Sequence, residues 1–316
     1  MTPEQSTRHF DLMYGNSPVM KCLYEQMEKV AGTDATVLVV GESGTGKELI
    51  AKAIHHESPR RTEPFIAVNC GAVPPHLIEA ALFGYEKGSF TGATKQHGGY
   101  FEHASRGTLF LDEVTEMPVD MQVKLLRVLE SGTFLRIGGT QEVRVDVRLI
   151  AATNRDLEYA LSQGKLREDL MYRLAVFPLR IPPLRERGAD IELLAQNFLH
   201  ELNERNQSHK TFSRGSREVI RAYSWPGNVR ELKNVIQRAY ILATDTLEIE
   251  ECISSLSEKM PTLQNGCLNF FVGTPLADAQ REIILATLKH YSGNKRLTAE
   301  TLGISLKTLY NRLKDY

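Results

Sequence analysis

The apolar run Thr36-Val37-Leu38-Val39-Val40 passes directly into Gly41-Glu42-Ser43-Gly44-Thr45-Gly46-Lys47-Glu48, and then into the helical stretch Leu49-Ile50-Ala51-Lys52-Ala53-Ile54. A short, branched, near-continuously apolar run suits a strand buried on both faces. A glycine-rich turn from such a strand into a helix lets backbone N–H groups close around a polyphosphate, and the helix N-terminus adds partial positive charge. Lys47 is then placed to reach the β- and γ-phosphates. Glu48 stands where such loops usually carry a Ser or Thr whose hydroxyl helps to hold Mg²⁺. A purely structural glycine turn is the plainer reading, and the strand before it and the helix after it weigh against that.

Four more runs carry the strand signal: Phe65-Ile66-Ala67-Val68, Thr108-Leu109-Phe110-Leu111, Val147-Arg148-Leu149-Ile150-Ala151 and Ala175-Val176-Phe177. The stretches between them are long enough for crossover helices, so the expected core is a helix-covered parallel sheet. Pro178, Pro182 and Pro183 then break the pattern. Beyond them only helical signals remain, at 191–202, 213–223 and 228–242. The expected division is an α/β unit over 12–181, a helical unit over 182–253, a linker over 254–274 and a last helical block over 275–316.

The formal net charge of −1 predicts neither nucleic-acid nor membrane binding by the chain as a whole, so any basic surface has to be local. Cys22, Cys70, Cys252 and Cys267 are scattered without Cys-x-x-Cys spacing, which reads as free thiols in a reducing compartment. The first residues lack the apolar core of a signal peptide, and no apolar run approaches a spanning helix of ~18 residues. A cytoplasmic location without membrane contact is expected.

Asp112-Glu113 ends the third apolar run. Carboxylates delivered there lie where α/β sheets bind ligands. Asp112 would hold Mg²⁺ through water, and Glu113 would polarise an attacking water. A solvated strand end explains the pair equally well until the phosphate loop is set beside it. Gly88-Ser89-Phe90-Thr91-Gly92-Ala93 is different: it puts an apolar ring between glycines in a polar, turn-prone stretch. Burying a Phe gains roughly 1.5–3 kcal/mol, so a Phe on a loop tip either folds back on the core or awaits a partner.

Together these motifs resemble the AAA+ ATPases, specifically the bacterial enhancer-binding activators of sigma-54 RNA polymerase, from about Leu12 to Tyr316. Gly-Glu-Ser-Gly-Thr-Gly-Lys-Glu, with its glutamate, is the form typical of that family. The resemblance implies a P-loop parallel sheet with a helical lid, ATP and Mg²⁺ as cofactors, and assembly from dimers into a hexamer or heptamer. Nucleotide contacts are implied for Gly41, Glu42, Ser43, Gly44, Thr45, Gly46, Lys47 and Glu48. Asn69 matches a switch asparagine pairing with the catalytic Glu113, and Asn154 a sensor of the γ-phosphate. Arg167 and Arg173 match arginines that reach a neighbouring subunit's site. Arg230, in Trp225-Pro226-Gly227-Asn228-Val229-Arg230, matches a second sensor on the lid.

Within that resemblance Phe90, Thr91 and Gly92 become the surface loop that presses on sigma-54, with Ser89 where an alanine is usual. A second loop, about 132–142, matches the element that moves with it. At the C-terminus, Leu276, Ala279, Ile283, Ile284, Leu288 and Tyr291 fall on one helical face. A short helix from Asn294, a turn at Gly303, a Ser305 cap and a last helix follow, the helix-turn-helix plan. This block is similar to the Fis-like domain of the same activators. Lys295, Arg296, Lys307, Arg312 and Lys314 outweigh Glu300 and Asp315 there. Lys307, Thr308, Asn311 and Arg312 are the candidates for double-stranded DNA, at an inverted repeat with half-sites about 34 Å apart. The alternative is a DNA-binding regulator that keeps the AAA+ fold without acting on sigma-54. A generic AAA+ motor accounts for neither the Phe90 loop nor the helix-turn-helix.

Overall fold

The computed structural model describes residues 8–9, 13–91, 93–257, 263–264, 267–268, 276–291 and 293–315. The apolar runs become five parallel strands: β1 (Val37–Val40), β2 (Phe65–Asn69), β3 (Thr108–Asp112), β4 (Arg148–Thr153) and β5 (Phe177–Arg180). Their order across the sheet is β2-β3-β4-β1-β5. Side chains alternate between two apolar layers, as the two-residue strand period requires. Leu38, Leu109, Leu111, Leu149 and Ala151 pack on one face with Phe83, Phe101 and Leu125. Val37, Val39, Phe110, Ile150 and Ala152 pack on the other with Met20, Met27, Ile50 and Ile54.

The fifth strand differs from the sequence expectation of 175–177. It runs Phe177–Arg180 and contains Pro178. β5 pairs only with β1, so it is an edge, where a proline's missing N–H costs no ladder bond. The fourth strand likewise begins at Arg148 and runs on to Thr153. Arg148 is buried, and its guanidinium donates to the Val30 and Ala31 carbonyls, closing the C-terminus of helix α1 (Pro18–Ala31).

Helix α2 (Lys47–His56) follows the glycine turn. α3 (Val119–Ser131) lies between β3 and β4 and α4 (Glu168–Leu174) between β4 and β5, and after the last strand come the lid helices α5 (Asp190–Asn206), α6 (Arg214–Ala222) and α7 (Asn228–Leu242). The lid is not purely helical, because Thr211–Phe212 pairs in parallel with Thr246–Leu247. Sheet and lid together form one unit, residues 1–247.

Residues 248–316 form a second unit. A helix spans Ile249–Ser257, so the expected linker over 254–274 starts inside a helix; a short antiparallel pair joins Leu263–Gln264 to Cys267–Leu268. The other linker positions lie outside the described residues, as does Leu12. Then come α8 (Leu276–His290), α9 (Lys295–Thr301) and α10 (Leu306–Asp315). Ile284, Ala299 and Leu309 meet as a small core. Asn294 and Ser305 cap α9 and α10 through bonds from Arg296, Leu297 and Thr308 N–H. Among the described residues, no helix is long and apolar enough to cross a membrane.

Candidate nucleotide site and its output loop

The parallel sheet brings the turn after β1, the end of β3 and the end of β4 together at the C-terminal ends of its central strands. Gly44 and Gly46 take positive φ, +79° and +102°, and turn the chain into α2. The Gly41 N–H donates to the Thr153 carbonyl at 3.2 Å, which sets the loop beside the strand end carrying Asn154. Lys47 is buried, and its Nζ donates to the Gly41 and Glu42 carbonyls at 2.9 and 3.2 Å. Burial pulls its ammonium below the usual lysine range, while the carboxylates of Asp112 and Glu113 pull the other way. Lysine and carboxylates therefore share one electrostatic site.

Asp112 and Glu113 are half-buried, and Asp112 Oδ1 accepts the Glu113 N–H at 3.0 Å. Glu113 adopts a left-handed backbone with φ +54°, which aims its carboxylate back over the turn after β2. Such strain in a non-glycine residue gathers at functional sites. A methyl group on Gly71 would lie 2.5 Å from Glu113 Oε2 and 3.3 Å from Asn69 Oδ1, so Asn69 and Glu113 face the same spot. Asn69 Oδ1 caps its own turn, accepting from the Gly71 and Ala72 N–H groups at 2.8 and 3.1 Å. That is the turn-capping role, and the expected pairing with Glu113 is not formed here. The neighbouring Cys70 thiol is buried, and burial, then Asp112 and Glu113, push its pKa up to about 12. It is an inert thiol.

Two expected nucleotide contacts use their side chains elsewhere. Glu48 pairs with Lys52 one helical turn on, at 2.7 Å. The Glu42 carboxylate is gripped by the lid, where Arg185 donates to both its oxygens at 2.7 and 2.9 Å. The local sequence contained no sign of that grip, because its partner lies far down the chain. Thr45 Oγ1 donates to the Glu42 carbonyl, and the buried Arg187 donates to the Thr45 carbonyl at 3.1 Å. Arg230 reaches Ser43 Oγ at 3.3 Å, and its N–H donates to the Gly44 carbonyl at 3.2 Å, so the expected lid sensor touches the loop.

Beside the loop lies a cavity of about 200 Å³, with Met13, Leu49, Leu194, Phe198 and Val229 among its lining residues. An apolar cleft next to a phosphate loop has the chemistry to take a flat heteroaromatic ring. A larger cavity, about 430 Å³ near Phe83, Arg127 and Leu135, contains none of the loop residues. Asp112 and Glu113 are hard oxygen donors that suit Mg²⁺, which binds through one or two carboxylates plus phosphates and water.

Arg167, half-buried, precedes α4, and Arg173 is exposed within it. Arg167 forms an ion pair with Asp169 at 2.6 Å, and Arg173 donates to the Leu129 carbonyl at 2.8 Å. Gln122 was missed at the sequence level. It is buried, and its Oε1 accepts the Arg167 N–H at 2.9 Å while its amide donates to the Met117 and Lys165 carbonyls, fixing the backbone that presents the arginine.

Phe90 stands 46% exposed, leaning edge-on against Tyr85 at 4.9 Å between ring centroids. Thr91 is exposed, and Gly92 lies outside the described residues. The hydroxyl of Ser89 is enclosed without a hydrogen-bond partner. The second loop is a hairpin, Thr133–Leu135 with Glu142–Arg144, and it is strapped to the base of the first. Arg136 donates to Glu86 at 2.8 Å and to both oxygens of Glu102, and the Glu86 N–H donates to the Ile137 carbonyl. Arg136 holds the Glu102 carboxyl below its usual range. In the second unit Lys307, Thr308, Asn311 and Arg312 are all exposed on α10, although the Thr308 hydroxyl already shares a hydrogen bond with Ser305 Oγ at 2.8 Å.

The profile of the family described as the Sigma-54 interaction domain matches residues 13–180. Those of the AAA+ ATPase lid domain and of the bacterial regulatory proteins of the Fis family match 185–266 and 275–316. The chain is 44% identical over 306 residues to the Nif-specific regulatory protein of Azotobacter vinelandii, covering 96% of this chain and 58% of that protein. It is 44% identical over 315 residues to the transcriptional regulatory protein ZraR of Escherichia coli, covering 99% and 70%. The crystal structure of NtrX from Brucella abortus in complex with ATP matches with a TM-score of 0.71 and 34% identity, over 96% of this chain and 68% of that one. The chain thus spans between 58% and 70% of the length of these relatives.

Proposed function

Because this chain belongs to the Sigma-54 interaction domain family, with an AAA+ lid and a Fis-type helix-turn-helix, we propose that it is an ATP-hydrolysing transcription activator. It binds upstream double-stranded DNA through its C-terminal unit and remodels sigma-54 RNA polymerase as a ring of six or seven subunits. One observation carries the reading. A phosphate loop with buried Lys47 and the Asp112–Glu113 pair shares one unit with a loop that holds Phe90 half-exposed. The alternative, a regulator that keeps the fold but ignores sigma-54, leaves that ring and the strapped second loop without a use.

ATP sits with its base in the cavity by Leu49 and Phe198 and its phosphates along 41–47. Lys47 leaves the Gly41 and Glu42 carbonyls to meet the outer phosphates. Asp112 would hold Mg²⁺, which would neutralise phosphate charge. Glu113 orients the attacking water once Asn69 has moved from its turn cap. Arg167 and Arg173, released from Asp169 and Leu129, enter the neighbouring subunit's site, where an arginine supplied in trans is worth roughly 10³–10⁵ in rate. Asn154 and Arg230 carry nucleotide state to the sheet and the lid, and the paired loops carry it to Phe90 and Thr91. The experiment is nucleotide binding by Lys47→Ala. Loss of ATP binding with a folded chain is the expected result, and wild-type affinity in that variant overturns the site.

A further inference from the structure

The phosphate loop carries an anion of its own. Glu42 is the second residue of a loop shaped to take polyphosphate, and a like charge there works against binding. Its carboxylate is fully engaged by the lid. Arg185 holds both oxygens at 2.7 and 2.9 Å, and Asn228 Nδ2 donates to Oε2 at 3.1 Å. The Arg185 guanidinium above all, with Asn228, keeps the Glu42 carboxyl below the usual carboxylate range.

Asn228 is built for this position. It opens α7 with a left-handed backbone, φ +53°, and is completely buried. Its Oδ1 accepts the Leu184 N–H at 2.8 Å, and its Nδ2 also donates to the Ser43 carbonyl at 3.0 Å. Glycine would suit the backbone but would supply neither bond. One side chain therefore ties the turn Leu184–Glu186, which carries Arg185, and the start of α7 to the phosphate loop.

We propose that Arg185 and Asn228 are positioning residues for ATP: they hold Glu42 as a neutralised, lid-anchored pair, so that the loop takes polyphosphate tightly only while the lid is engaged. The proposal rests on the reading of this loop as an ATP site. Its effect scales with phosphate charge, because a freed carboxylate opposes ATP more than ADP and AMP least. An unpaired carboxylate about 10 Å from a triphosphate in a water-like dielectric weakens binding roughly five- to tenfold before salt screening. Binding through the base is untouched.

The test is a double-mutant cycle on the full chain with Arg185→Ala and Glu42→Gln. It reads affinities for ATP, ADP and AMP by competition against a fluorescent nucleotide, together with kcat and KM for hydrolysis. At low ionic strength, losing Arg185 alone should weaken ATP about five- to tenfold, whereas the double variant, with both charges gone, should bind ATP within about twofold of the wild type. The loss should appear in KM rather than kcat, be smaller for ADP and be smallest for AMP. Equal losses for all three nucleotides, or no rescue by Glu42→Gln, would make Arg185 a structural residue and overturn the proposal. If Arg185→Ala does not fold, Arg185→Gln, which removes the charge but keeps much of the side chain, carries the same cycle. Lys47→Ala separates the levels: if it binds ATP like wild type the ATP site itself is wrong, and the proposal falls with it.

Discussion

Gly44→Ala puts the seating of the lid on the phosphate loop under direct strain. Gly44 has φ +79°, and a methyl group there would lie 2.3 Å from the Gly227 carbonyl oxygen and 3.1 Å from Arg230 Cβ. The nearest obstacle is backbone, so the lid has to move. Gly46 is the control, because its φ is +102° but the nearest atom to an added methyl is Leu49 Cδ1 at 3.9 Å. Both substitutions carry left-handed strain of about 1–2 kcal/mol. Only Gly44→Ala also displaces the lid, which breaks the Arg230 N–H bond to the Gly44 carbonyl and loosens Asn228. Two such bonds are worth roughly 1–3 kcal/mol. In a domain of this size 1 kcal/mol moves the unfolding midpoint by about 2–4 °C. Calorimetry without nucleotide should therefore show Gly46→Ala falling by about 2–8 °C and Gly44→Ala by roughly twice as much. Equal falls would refute the packing of Gly227–Arg230 against the loop.

Two further outcomes follow from particular side chains. Ser89→Ala removes an enclosed hydroxyl that has no partner while keeping the Cβ, so the chain should gain about 1 kcal/mol and unfold a few degrees higher; a loss of stability would mean that the hydroxyl is bonded. The buried His55 ring, bonded to Thr108 Oγ1 at 2.9 Å, has its pKa lowered by burial and then by His56. The unfolded chain binds that proton more readily, so stability is complete above the ordinary value of 6.5 and falls as pH drops through it towards the folded pKa. Urea midpoints between pH 7.5 and pH 5 should decline in the wild type and decline less in His55→Asn; identical slopes would contradict this.

Much of the fold was legible because its signals are local. A strand, a glycine turn and a helix lie within twenty residues, and the Asp112–Glu113 pair closes its own strand. Pro178 was misread because a proline argues against a strand only until the strand is known to be an edge, and edge position is a property of the whole sheet. Glu42 was read as a nucleotide contact, whereas Arg185 and Asn228, more than a hundred residues away, decide where its carboxylate goes. The cavity beside the loop was invisible for the same reason: Met13, Leu49, Phe198 and Val229 are ordinary apolar residues until the fold gathers them. Asn69 and Glu113 face the same spot, but Asn69 Oδ1 is taken up by hydrogen bonds to its local turn.

The central claim is that ATP hydrolysis acts on sigma-54 polymerase through the exposed loop tip at Phe90 and Thr91. Open-complex formation at a sigma-54 promoter, measured with ATP hydrolysis in the same reaction for the wild type and Thr91→Ala, tests it most directly. Thr91 is exposed, so its loss should leave the fold and the hydrolysis rate largely intact. The account predicts that the variant hydrolyses ATP but opens no promoter; open complexes at the wild-type level would contradict it.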